Sequence, residues 1–114
     1  MASSSPEANP ASYFGFRDLH GFKDFVVYVF SCAPDLFPED DWRGPDEQMN
    51  LERAFVGLRY GLGLALTEKG DSDTLARCRA LVDEAYADYD AGRDHAGQLK
   101  LEEVEKLLKR LPTE

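Results

Sequence analysis

The chain has 114 residues, 43% hydrophobic and 31% charged, which is enough apolar material for one folded domain with its own core. Its 22 acidic residues outnumber 13 basic ones for a net charge of −9, a balance that repels phosphate backbones and anionic lipid and argues against direct nucleic-acid or membrane-surface binding. The longest apolar run, Phe25 to Phe30, falls far short of the roughly 20 residues that cross a bilayer, and no basic residue precedes an apolar stretch at the N-terminus, so a cytoplasmic location is the expectation.

Residues 1 to 12, rich in Ser, Pro and Ala, have too little apolar content to order themselves and are predicted to form a flexible, disordered leader before a single helical domain over 13 to 114. The run FVVYVF at 25 to 30 has the composition of a strand. Its spacing argues otherwise, because Leu19, Phe22, Phe25, Val26, Val29, Phe30 and Ala33 fall at steps of three and four, and no other segment offers a strand partner. The prediction is a helix over 18 to 33, capped by Asp18 and stopped by Pro34.

An irregular loop rich in carboxylates follows. The second helix is predicted from Pro45, with Asp46 and Glu47 beside its positive end, to Lys69. Its large stripe is Leu51, Phe55, Leu58, Leu62 and Leu66, and a small one, Ala54, Gly57, Gly61 and Ala65, runs alongside. Glycine inside a helix costs about 1 kcal/mol against alanine, so this face, with Gly63 nearby, calls for a compensating gain. Close approach of the aromatics of the first helix is the favoured explanation, and the floor of a ligand pocket over Gly57 and Gly61 is the alternative.

Gly70 ends that helix, and Asp71 or Asp73 is expected to cap the third, whose buried stripe is Leu75, Cys78, Leu81, Val82, Ala85, Tyr86 and Tyr89. Gly92 closes it. Asp94 is expected to cap the fourth, carried by Leu101, Val104, Leu108 and Leu111, with Lys109 and Arg110 at its negative end. Four helices with short connections predict an all-α, antiparallel up-and-down four-helix bundle.

The net charge is concentrated. Residues 35 to 47 hold Asp35, Glu39, Asp40, Asp41, Asp46 and Glu47 against Arg43 alone; residues 83 to 94 hold Asp83, Glu84, Asp88, Asp90 and Asp94 against Arg93 alone. The rest of the chain is neutral. In an up-and-down bundle these two segments meet at one end. Trp42, Tyr28, Tyr86 and Tyr89 belong to the same half, and Trp and Tyr are common interface anchors.

Parts for catalysis are missing: there is no Gly-rich phosphate loop, nucleophile elbow, HExxH or Glu-x-x-His, so neither catalytic residues nor a cofactor is assigned. Cys32 and Cys78 form no CxxC and are expected to stay reduced as small apolar residues. Asp35, Glu39, Asp40 and Asp41 are oxygen ligands close in sequence, but they lack the calcium-hand pattern, and no metal is assigned. The expectation is a non-enzymatic protein that binds a basic protein partner, in its most concrete form an immunity-type inhibitor of a toxin nuclease. Asp40, Asp41, Trp42, Tyr89 and Asp90 would make the central contacts, with Glu39, Asp88 and Asp94 steering association. A regulatory or structural adaptor is the first alternative, and a ligand-binding or enzymatic bundle using Gly57 and Gly61 the second. The same composition also suits an acidic face that only keeps the chain in solution.

Overall fold

The computed structural model describes residues 10–111, and within them the fold is all-α without a strand. Five helices follow in order: α1 (Pro10–Phe14), α2 (Leu19–Cys32), α3 (Leu51–Lys69), α4 (Asp73–Asp90) and α5 (Asp94–Leu108). Most of the expected leader, residues 1 to 9, lies outside the described residues. Its last three residues open α1, so regular structure starts at Pro10 rather than near Tyr13. None of these helices is long and apolar enough to cross a membrane.

FVVYVF is helical. The Asp18 carboxylate accepts from Gly21 N at 2.9 Å, which caps α2, and the helix buries Leu19, Phe22, Phe25, Val26 and Val29. Val27 projects outward at 40% exposure, as expected for an amphipathic rather than fully buried element. Tertiary burial of one stripe thus overrides the β-branched propensity of the run.

The small face of α3 accounts for its glycines at two positions. A Cβ on Gly61 would lie 1.9 Å from Cδ1 of Phe22, and one on Gly57 would lie 2.6 Å from Cζ of Phe25. The first-helix aromatics therefore fill the space over Gly57 and Gly61, and the ligand pocket considered for that face is not there. Gly63 differs: it is exposed, and a Cβ there meets nothing within 4 Å.

Other contacts give the packing order. α2 packs on α3 and α5, α3 on α4, and α4 on α5. Glu68 near the end of α3 accepts from Leu19 N at the start of α2, and Lys23 of α2 donates to Leu111 O beyond α5. Phe55 in the second turn of α3 sits edge-on to Tyr86 and Tyr89 in the last turns of α4, with centroids 5.0 and 6.1 Å away.

Four boundaries or positions differ from expectation. α3 starts at Leu51, six residues after Pro45, because Asn50 supplies its cap by accepting from Arg53 N at 2.8 Å. Ser72, not Asp71 or Asp73, caps α4 through Leu75 N. Asp94 is the first residue of α5 rather than its cap, a role taken by Arg93 without a side-chain bond. Leu66 of the large stripe is 39% exposed.

Candidate functional site

The segment between α2 and α3 is ordered by side chains that satisfy its backbone. Gln48 Nε2 donates to the carbonyls of Asp40, Arg43 and Gly44, while its Oε1 accepts from Asp40 N at 2.7 Å. Arg53 reaches back to the carbonyls of Gln48 and Asp46. These bonds consume groups that a helix from Pro45 would have needed, which explains its late start.

Arg43 is the centre of this loop. Its side chain is only 6% exposed, and its Nε donates to Asp40 Oδ2 at 2.9 Å. A second nitrogen donates to Tyr13 O at 2.6 Å, and the guanidinium lies over the rings of Tyr13 and Trp42 at 3.9 and 4.1 Å. Tyr13 OH in turn donates to Glu47 O at 2.8 Å. The lone base of the acidic segment therefore clamps the loop to α1. Asp40 is its counter-ion, so part of its charge is neutralised in the fold rather than offered to a partner.

On this clamp the loop presents apolar surface. Trp42 is 70% exposed and Leu36 is 71% exposed, and Asp35, Glu39 and Asp41 around them are exposed without an ion pair among the described residues. The sequence marks Leu36 only as a large aliphatic residue in a polar, Pro-rich loop. Asp90 and Asp94 are likewise exposed and unpaired among the described residues.

Two expected contact residues are placed elsewhere. Tyr89 is 5% exposed, sits over Gly97 and against Phe55, and is a core residue rather than an anchor. Its hydroxyl has no hydrogen-bond partner among the described residues, and burial first, then Asp94 and Glu102, pushes the phenol up to about 12. Asp88 is 4% exposed and joins α4 to α5: Lys100 Nζ donates to one carboxylate oxygen, and Arg93 Nε donates to the other at 3.0 Å. It does not steer association from the surface. Both positions follow the 81, 85, 88, 89 spacing of the buried face, where a paired Asp stays buried.

Hydrogen bonding from Lys100, and then from Arg93, holds the Asp88 carboxyl below the usual carboxylate range against the opposing effect of burial. A lowered folded value means that the stabilisation is complete above the unfolded carboxylate pKa of about 3.9 and is lost as pH falls through the folded value. Asp88→Asn is therefore expected to be less stable than wild type at neutral pH and to lose less stability on acidification below about pH 4. Urea midpoints across that range check it, and parallel curves for the two proteins would refute the pairing.

Among the described residues no group of three or more His, Cys, Asp or Glu side chains is arranged to hold a metal ion. Cys32 is half-buried and Cys78 buried, both as free thiols, and burial raises the Cys78 thiol to about 11. Comparison of the chain with protein-family models, with curated proteins and with solved structures finds no match.

Proposed function

We propose that this chain is a non-catalytic, cytoplasmic protein that binds a basic protein partner through the loop after α2, as an immunity-type inhibitor masking the partner's substrate-binding surface. The observation that carries the reading is Trp42: a large ring, 70% exposed, stacked on a buried arginine, in a loop whose exposed Asp35, Glu39 and Asp41 have no ion pair among the described residues. Rigid, pre-positioned aromatics inside a charged rim are the usual make-up of an interface hot spot. An acidic face used only for solubility is expected to carry few exposed large apolar residues, whereas this loop holds both Trp42 and Leu36.

The reading includes an up-and-down antiparallel course for α2 to α5, supported by the pairings of Leu19 with Glu68, Phe55 with Tyr89, and Asp88 with Lys100. That course brings Asp90 and Asp94 to the same end as Glu39, Asp41 and Trp42, where they add to a field that attracts a cationic partner. Leu36 replaces Tyr89 as the second apolar contact, and Asp88 is left out.

The test uses a partner captured with the full chain. Trp42→Ala is expected to weaken its binding by about 2 kcal/mol, roughly thirtyfold. Changing Glu39, Asp41 and Asp90 together to their amides is expected to weaken it about tenfold and to flatten its salt dependence. Asp40 is spared because it holds Arg43. Unchanged affinity and salt dependence in both variants would end the proposal, and a partner whose activity survives binding would make the protein an adaptor instead.

A further inference from the structure

Beside the clamp, between α1, α2 and the loop, lies a cleft of about 370 Å³. Phe14, Phe16, Phe25 and Tyr28 line it, together with Asp24 and Asp40. The rings are mutually packed, Phe16 on Phe25 at 5.0 Å, Phe14 on Phe25 at 5.4 Å and Phe25 on Tyr28 at 5.8 Å, so the walls are preformed. Asp24 is exposed and has no ion pair among the described residues. Asp40 receives Arg43 on Oδ2, which leaves Oδ1 without an ion pair among the described residues.

Arg43 also borders the cleft, but its charge is committed. Its nitrogens are bonded to Asp40 and to the carbonyl of Tyr13, and its faces are covered by Tyr13 and Trp42. With Asp24 and Asp40 against this one base, the cleft retains one negative charge. Burial, then Cys32 and Asp40, raises the Tyr28 phenol to about 12, so at neutral pH it is an uncharged hydroxyl whose oxygen can accept. Aromatic faces together with carboxylates are the combination that recognises an organic cation.

We propose that this cleft binds an organic ammonium group on a short apolar stem, the stem against the four rings and the ammonium between Asp24 and Asp40. Cleft volumes of a few hundred Å³ suit a small ligand or one inserted side chain. The site goes beyond the loop surface proposed above and does not depend on it, because Trp42, Asp41 and Asp90 do not line the cleft.

Titration of the full chain with phenethylammonium, followed by proton NMR of its aromatic rings, is the test. Saturable shifts with a dissociation constant of roughly millimolar or tighter are expected, weakening at high salt. The neutral isostere phenylethanol is expected to bind at least about fivefold more weakly, and phenylacetate not at all. Asp24→Asn, an exposed helix position whose unliganded thermal midpoint verifies folding, is expected to weaken the ammonium about fivefold and to leave phenylethanol unaffected. N-acetyl-lysine methylamide identifies the source: binding at least as tight as phenethylammonium indicates a partner's lysine, and much weaker binding a free amine. Equal affinity for phenylethanol, an unchanged Asp24→Asn variant, or no saturable shift with phenethylammonium each overturns the proposal.

Discussion

Gly61→Ala is expected to lower stability by about 2 kcal/mol or more, although alanine is the better helix former by about 1 kcal/mol. The added Cβ would lie 1.9, 2.2 and 2.4 Å from three atoms of the Phe22 ring. That ring is fully buried and stacks on Phe16 at 5.8 Å, so it has no free direction in which to yield. Overpacking of this kind forces off-rotamer side chains or separates the helices, at typically 1 to 3 kcal/mol, about 8 °C in thermal midpoint for a domain of this size. Gly63→Ala supplies the control in the same helix. With open space at its Cβ, it is expected to gain about 0.5 to 1 kcal/mol. Opposite signs at positions two residues apart separate close helix packing from propensity. Phe22→Leu should recover part of the Gly61→Ala loss, because the interaction between neighbours is non-additive. If Gly61→Ala stabilised the protein as Gly63→Ala does, the α2 and α3 backbones could not be as close as they are here.

The same pair marks where sequence reasoning succeeds. Gly57 and Gly61 share a helical face with Ala54 and Ala65, and a face without side chains implies a neighbour that fills it; Phe22 and Phe25 do so. The periodic positions Leu19, Phe22, Phe25, Val26 and Val29 likewise outweigh the strand propensity of their types, because the stripe they form is what becomes buried. The start of α3 was not legible in this way. Pro45, Asp46 and Glu47 have the composition of a first helical turn, but Gln48 and Arg53 bond the surrounding carbonyls into turns instead. Periodicity does not register side-chain to backbone bonds. In the candidate site, the acidic segments could be found by counting charges, and Trp42 by its residue type within one of them. Which carboxylates are free could not, since Asp88 depends on Lys100 twelve residues away and Asp40 on how Arg43 is oriented.

Arg43→Ala is expected to release the loop while leaving the helical core folded. Several attachments end together: the ion pair with Asp40, the bond to Tyr13 O and the guanidinium surface against the rings of Tyr13 and Trp42. Removing one partner of a largely buried pair costs 3 to 5 kcal/mol when both are desolvated; with Asp40 30% exposed, about 2 to 3 kcal/mol is the expectation here. The loss is local, because Phe22, Phe55 and the α4–α5 contacts do not touch Arg43. Amides of α1 and of residues 40 to 48 should therefore exchange faster by about two orders of magnitude, with those of α4 little changed. Trp42 is the only tryptophan, so its fluorescence anisotropy reports the loop alone and should fall. Arg43→Lys should restore little of this, since an ammonium neither forks between Asp40 and Tyr13 O nor covers two rings with a flat face. If the loop surface binds a partner as proposed, Arg43→Ala should weaken that binding nearly as much as Trp42→Ala, although Arg43 itself is almost wholly covered, because the partner must then reorder the loop before it can use the ring. Unchanged exchange and anisotropy would mean that the clamp does not hold the loop and that the order of Trp42 does not come from Arg43.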